Sequence, residues 1–441
     1  MLKLRIPRLT ASVTMRRAAL AYLIIWVLSP PLAYGNGWRV LAVLAMLLWL
    51  ALDTLSPRSV LRKPNWPVLC SLSYIIYTAC IEWLVPDISS INQQFPIWIM
   101  LFFLLIGESQ RRGNSADAQF CFWVILLIMP VWSYTTLWGI DTIASDVSRT
   151  MSRSSDEARE LAAQGVGGFG YIYTTVLCVP FLAQMALRFR KEWEFGQTRW
   201  QRRAARLIIW VNFLLASLLM IRAGYTIALI LWAFAVLSVM LIRSRRTLPF
   251  AISICFVGVL AISASIFMKP GLRALEVVAA NTEYSAKIRD ARTLLEEDQS
   301  TGTVNDRAQR YMLSLKLFVE NPVIGTLTYD SLGKHSAILD RLGQYGFLFG
   351  FMFMALMIHV PVRVMRSSGA PVGLALSFLI VGVGFPMLNP VFMSWGLILF
   401  VFSRGALTVM GISMDHAGRM GMLEQQQRRE RTAPPPMRRP Q

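Results

Sequence analysis

The sequence predicts an all-α, polytopic membrane protein of about twelve membrane-spanning helices with one long helical loop outside the cytoplasm. Three observations carry that reading. Hydrophobic residues make up 55% of the 441 residues, and the mean hydropathy is +0.49. Apolar runs recur along the chain, many long enough to cross a bilayer, where a span needs about 20 mainly apolar residues. The loops between these runs alternate between strongly basic and charge-balanced. The net charge of +19 therefore belongs to one side of a membrane, and no nucleic-acid partner is expected. The five cysteines (Cys70, Cys80, Cys121, Cys178 and Cys255) all fall in apolar runs. They imply neither a disulfide framework nor a zinc site and read as small packing residues.

Residues 1–17 are basic (Lys3, Arg5, Arg8, Arg16, Arg17) and precede an apolar run at 18–34. That layout also resembles a secretory signal peptide. A second apolar run follows almost at once, which favours a retained first span. Further spans are predicted at 38–55, 67–86, 95–107, 118–140, 169–187, 207–221, 227–242, 248–268, 347–362, 371–388 and 391–410. The basic loops carry the N-terminus, Arg58/Arg62/Lys63, Arg111/Arg112, the dense stretch 188–206, Arg243/Arg245/Arg246, Arg363/Arg366 and the C-terminal tail. The alternate loops are 35–37, 87–94, 141–168, the turn near Arg222, the long segment 269–346 and the turn at Asn389-Pro390. The positive-inside rule puts the basic set and both termini in the cytoplasm. The expected domains are a transmembrane bundle at 1–268 of about nine spans, an extracytoplasmic helical loop at 269–346, C-terminal spans at 347–410, and a disordered basic tail at 411–441 suited to anionic lipid headgroups.

Acids and bases balance within 269–346, as in a folded, internally paired substructure. A short helix is expected within 285–297, from Ile288, Ala291, Leu294 and Leu295. Thr303 and Asp306 then have capping-box spacing. Ala308, Tyr311, Met312, Leu315, Phe318 and Val319 follow as an apolar stripe at helical period, with Arg307, Arg310 and Ser314 on a polar face. Asn321-Pro322 ends that helix, since proline disfavours helical geometry in the residue before it. A second helix is expected from His335, through Ile338, Leu339, Leu342 and Tyr345, passing Gly343 and Gly346 into the next apolar run.

Among candidate functional residues, Arg222 stands between two apolar runs, where an arginine is expensive unless it meets water or an anion. Its alternative is an exposed hairpin tip, Arg222-Ala223-Gly224, with a snorkelling side chain. Arg307 and Arg310 share a helix face and can grip one polyanion, because the guanidinium fork matches phosphate oxygens. Their alternative is a solvated face paired with Asp306 or Glu320. His335 at a helix N-terminus would be held neutral by the dipole and able to accept a proton near pH 7. On chemistry alone it reads as a structural histidine. His359 lies in an apolar run and His416 in the basic tail. No phosphate-binding glycine loop with lysine, metal-spaced cluster or Asp-x-Asp pair occurs, so neither cofactor nor metal is expected.

Taken together, the polytopic spans, the late outer loop, Arg307, Asn321-Pro322, Gly325, His335-Ser336, Leu339-Asp340, Leu342, Tyr345-Gly346 and Gly350 resemble the O-antigen polymerase/ligase superfamily. Arg222 fits that family's arginine just past a span. The resemblance covers 222–365 by motif and the N-terminal half by topology. It departs at Lys334, where a small residue is common, and at 35–37, which lacks the acidic pair of many related glycosyltransferases. It implies a metal-independent, inverting glycosyltransferase of the bacterial cytoplasmic membrane. Such an enzyme polymerises undecaprenyl-diphosphate-linked repeat units, with chain-length regulator and flippase proteins as further partners. His335 is the implied catalytic base. Arg222, Arg307 and Arg310 are implied diphosphate ligands, and Asp340 and Tyr345 are sugar-contacting or structural. His335-Ser336 with Leu339-Asp340 looks more like the polymerase form than the ligase form. The alternatives are a ligase of the same superfamily, a lipid-linked oligosaccharide flippase, and a noncatalytic assembly partner.

Overall fold

The computed structural model describes residues 8–33, 35–56, 59–84, 88–112, 115–143, 156–188, 198–242, 303–328, 332–334, 336–388 and 391–412. The predicted span 248–268, the helix within 285–297, His335, His416, Cys255 and the tail from 413 lie outside those residues.

Every described element is a helix. That is the expected solution for apolar segments in lipid, because a helix satisfies its own backbone N–H and C=O groups. In chain order they are α1 (Arg8–Leu28), α2 (Pro30–Ala33), α3 (Asn36–Thr54), α4 (Trp66–Leu84), α5 (Ile88–Arg111), α6 (Ser115–Thr142), α7 (Asp156–Ala163), α8 (Phe169–Leu187), α9 (Arg199–Arg222) and α10 (Thr226–Leu241). After the gap come α11 (Thr303–Glu320), α12 (Ala337–Tyr345), α13 (Phe351–Ser368), α14 (Val372–Leu379), α15 (Phe385–Leu388), α16 (Phe392–Gly396) and α17 (Ser403–Val409). π-helical turns at Gly346–Gly350, Ile380–Gly384 and Leu397–Phe402 join α12 to α13, α14 to α15 and α16 to α17.

Among the described residues, 7 helical stretches are long and apolar enough to cross a membrane: Gly37–Thr54, Trp66–Leu84, Ser115–Thr142, Phe169–Leu187, Arg199–Arg222, Ala337–Ser368 and Phe392–Val409. Ile227–Leu241 and Val372–Gly384 are apolar but shorter. The short run 95–107 proves to be the middle of a 24-residue helix, α5. The most apolar stretches of α8 and of Phe392–Val409 are 89% and 83% buried, against 17% for α3, so those two form the centre and α3 the periphery. Exposed Leu44 and Leu47 of α3 continue a belt through Leu69 and Ile76, Leu127 and Val131, Leu214 and Leu218, and Ile230 and Leu237. An apolar surface of that extent needs lipid as its solvent. The protein is a polytopic membrane protein, all-helical among the described residues.

Lipid gives apolar helices no hydrophobic reason to associate, so close packing does more of the holding. Gly405 lets α17 meet the Ala118 carbonyl of α6, and Gly396 lets α16 meet the Met100 backbone of α5; a Cβ at either would collide. The Trp395 indole donates to the Gly382 carbonyl at 2.7 Å, tying α16 to the π-helical turn after α14. Polar contacts sort the loops onto two poles. At one, Asp117 at the start of α6 pairs with Arg16 (2.5 Å) and Arg17 (2.9 Å) of α1. There too Asp53 accepts from Ser109 (2.8 Å) and Arg188 donates to the Met240 carbonyl (2.6 Å). At the other, Arg222 meets Asp141 and Gln94 meets α12.

Candidate functional site

α11 and α12 lie side by side, pointing the same way, with the chain between them running back along both. Three sets of contacts fix this arrangement. Gly333 abuts the carbonyl of Arg310, where a Cβ would collide. Thr326 and Leu327 donate to the carbonyls of Gly343 and Gln344, both at 2.9 Å. Phe347 donates to the Pro322 carbonyl at 2.6 Å. Gly325 (φ +78) and Gly346 (φ +64) occupy backbone that favours glycine. They meet there so closely that a Cβ on Gly346 would strike Val323 and one on Gly325 would strike Gln344. The Asn-Pro-x-x-Gly and Tyr-Gly parts of the motif thus form one packing device.

Asp340 is buried and its oxygens are engaged. Oδ1 accepts from the Ser314 hydroxyl at 2.6 Å, and Oδ2 accepts from the Ser336 N–H at 3.1 Å. The Ser314 hydroxyl also accepts from the Gly333 N–H at 3.0 Å. The Ser336 hydroxyl caps α12 by accepting from the Leu339 N–H at 3.2 Å. Asp340 is therefore the knot that holds the chain on both sides of His335, which itself lies outside the described residues. Lys334 takes a left-handed φ of +60, the geometry that favours glycine. The side chain of Arg310 is exposed beside this turn. Arg307 stands one turn earlier on α11, and its side chain lies outside the described residues.

One part of the sequence pattern is overturned. Ser314, assigned to the polar outer face of α11, is buried against α12, while Met312, Leu315 and Val319 of the apolar stripe are exposed. A buried carboxylate must be hydrogen-bonded, and Asp340 draws the serine face inward.

Tyr345 is fully buried and accepts a hydrogen bond from Gln94 Nε2 of α5 at 2.6 Å. Gln94 Oε1 accepts from Arg341 Nη1 at 3.4 Å. The guanidinium of Arg341 lies 5.9 Å from the ring centre of Tyr345 and 6.0 Å from that of Phe392. The Tyr74 ring meets Tyr345 edge-on at 5.8 Å. Arg222, by contrast, is exposed at the end of α9, where its Nε donates to Asp141 Oδ1 at 3.1 Å and its Nη2 reaches the same oxygen. These contacts tie it to α6, not to the α11–α12 unit.

Sequence reasoning passed over a deeply buried ion pair. Glu108 and Arg404 pair at 2.7 Å, each 1% exposed. Glu108 also accepts from Arg111 Nε at 2.9 Å and Asn65 Nδ2 at 2.6 Å. The signal was present, because Arg404 stands inside the predicted span 391–410 and an ionisable side chain there marks a polar site. No protein-family model matches the chain, and no curated protein sequence matches it.

Proposed function

We propose that the protein polymerises undecaprenyl-diphosphate-linked oligosaccharide repeat units at the outer face of the bacterial cytoplasmic membrane, by metal-independent inverting glycosyl transfer. The observation that carries this reading is the knot of Ser314, Asp340 and Ser336, which fixes the residues flanking His335 beside the turn of α11 that carries Arg310. The acceptor hydroxyl attacks the anomeric carbon of the donor as the bond to the diphosphate oxygen breaks, inverting the centre. The hydroxyl proton passes to His335, and the departing diphosphate carries away the bonding pair. Arg310, with Arg307, stabilises the charge that develops on it. Arg222 serves the same anion only by exchanging Asp141 for it. Asp340 and Tyr345 support the site from beneath.

The fold reading extends to about twelve spans with both termini in the cytoplasm. The chain is at the basic pole at Ile242 and α12 lies at the opposite pole, which supports one further crossing between them. The apolar run 248–268 is suited to that crossing. A second reading, a flippase for lipid-linked oligosaccharide, is favoured by the ionisable groups inside the bundle, Glu108 with Arg404 and the buried Arg341.

The test is chain extension from purified lipid-linked repeat units in excess chelator. His335→Gln should lower the rate by about 10²–10⁴-fold, as loss of a general base does. His416→Gln serves as the silent control. A normal ladder from His335→Gln removes the base assignment, and no ladder from the wild type removes the metal-free mechanism. Translocation of the lipid-linked unit in proteoliposomes without extension establishes the flippase instead.

A further inference from the structure

We infer that the tip of the α11–α12 unit, residues 322–324 together with Val319, is immersed in the acyl region of the bilayer. The inference concerns the fold and stands apart from the proposed reaction. Val323 is 71% exposed and Ile324 59%, and neither has a partner surface elsewhere in the described bundle. Their neighbours show what covers them. Phe347, hydrogen-bonded to Pro322, is also exposed and stacks on Phe351 with ring centres 5.2 Å apart. Phe347, Leu348 and Phe351 belong to the Ala337–Ser368 helix, one of the membrane-spanning candidates. The apolar surface of the tip therefore runs without a break into a surface that faces lipid.

Direction and polarity agree. α11 points the same way as α12, and α12 leads into the span, so the C-terminal end of α11 is its deep end. The exposed Gln309 and Arg310 lie at the shallow end. Met312 and Leu315 carry the apolar surface toward the tip, and Lys316 pairs with Glu320 at 3.7 Å on its flank. A lysine there can run its stem along apolar surface and lift its ammonium to the headgroups. Asn321 turns its amide back onto the Leu317 carbonyl at 3.4 Å, which lessens its demand for water. The apolar tip thus sits beside one exposed ion pair, Lys316 with Glu320, and such a combination of apolar and charged surface on one amphipathic helix suits a membrane interface.

The experiment uses the full chain with its native cysteines replaced by alanine and one cysteine restored at a time. The variants Val323→Cys, Ile324→Cys, Gln309→Cys and Leu44→Cys are labelled with an environment-sensitive fluorophore. Each is reconstituted into phosphatidylcholine–phosphatidylglycerol vesicles, with or without lipid brominated on the upper acyl chain. Thermal unfolding like that of the parent certifies each fold, and Ile324→Cys stands in should Val323→Cys fail. Labels at the tip, like the lipid-facing one on α3, should lose fluorescence to brominated lipid and resist aqueous iodide. The label at Gln309 should show the reverse. Quenching of the tip labels by iodide alone overturns the inference in favour of water. Protection from both quenchers overturns it in favour of a protein cover, either a second copy or the 248–268 segment.

Discussion

Helix α5 carries two buried polar layers, and they are built on opposite principles. Around Glu108 a single carboxylate receives two guanidiniums, Arg404 and Arg111, together with the Asn65 amide. Gln94 lies fourteen residues earlier, about 21 Å along the axis at 1.5 Å per residue. It hands one hydrogen bond to Tyr345 and takes another from Arg341, so a neutral amide receives the guanidinium there. The Tyr74 ring is buried in the same region, edge-on to Tyr345. The first layer is a charged clamp that joins α5, α17 and the residue before α4 at the pole of basic loops. The second joins an uncharged amide to a phenol and a guanidinium, directly beneath the unit that carries the candidate site.

The largest expected effect breaks the charged layer. Glu108→Leu leaves Arg404 buried against Arg111 with no carboxylate, which typically costs about 3–5 kcal/mol. The variant should melt far below the parent in detergent, or fail to accumulate. Adding Arg404→Leu should recover most of the loss, because a buried pair exchanged for apolar residues is often nearly neutral. If the single variant melts like the parent, the clamp does not hold the bundle.

A smaller effect sharpens the other side of the comparison. Tyr345→Phe removes the acceptor of the Gln94 hydrogen bond and should cost about 1 kcal/mol, more if the amide stays unsatisfied. Tyr74→Phe removes a neighbouring hydroxyl and leaves the Gln94–Tyr345 hydrogen bond in place, so it should cost less. Thermal unfolding of the two variants, side by side, checks the order. Equal losses would mean that the Gln94 hydrogen bond is not what sets Tyr345 apart in the second layer.

How far the sequence could be read follows from the range of each interaction. An apolar run is a property of one segment, so α3, α4, α6, α8 and α13 were legible, as was the helix–turn–helix of 303–346. The polar layers were not, because their partners are remote: Glu108 and Arg404 are 296 positions apart, Gln94 and Tyr345 251. Ser314 was misplaced for a related reason. Hydropathy alone assigns a serine to water, and only the buried Asp340, 26 positions away, gives it a place inside. Arg222 was singled out because it stands alone between two greasy runs, yet it is exposed, while Arg341 and Arg404 are each only 1% exposed.

That contrast sets the last and smallest prediction. Arg222 with Asp141 is the same chemical pair as Arg404 with Glu108, but the two side chains are 57% and 47% exposed. Water already solvates both, so the pair should be worth only about 0–1 kcal/mol and fade with salt as the screening length falls toward about 3 Å at 1 M. Asp141→Asn should therefore leave the melting temperature almost unchanged, and unchanged altogether at high salt. The same variant separates the two roles open to Arg222. If the arginine holds diphosphate, freeing it from Asp141 should maintain or raise chain extension, while Arg222→Lys lowers it because a point charge cannot reproduce a bidentate grip. If its work is to tie α9 to α6, the two variants should be equally mild in extension and in melting. An Asp141→Asn protein that melts as low as Glu108→Leu would show that exposure is not what separates the two pairs.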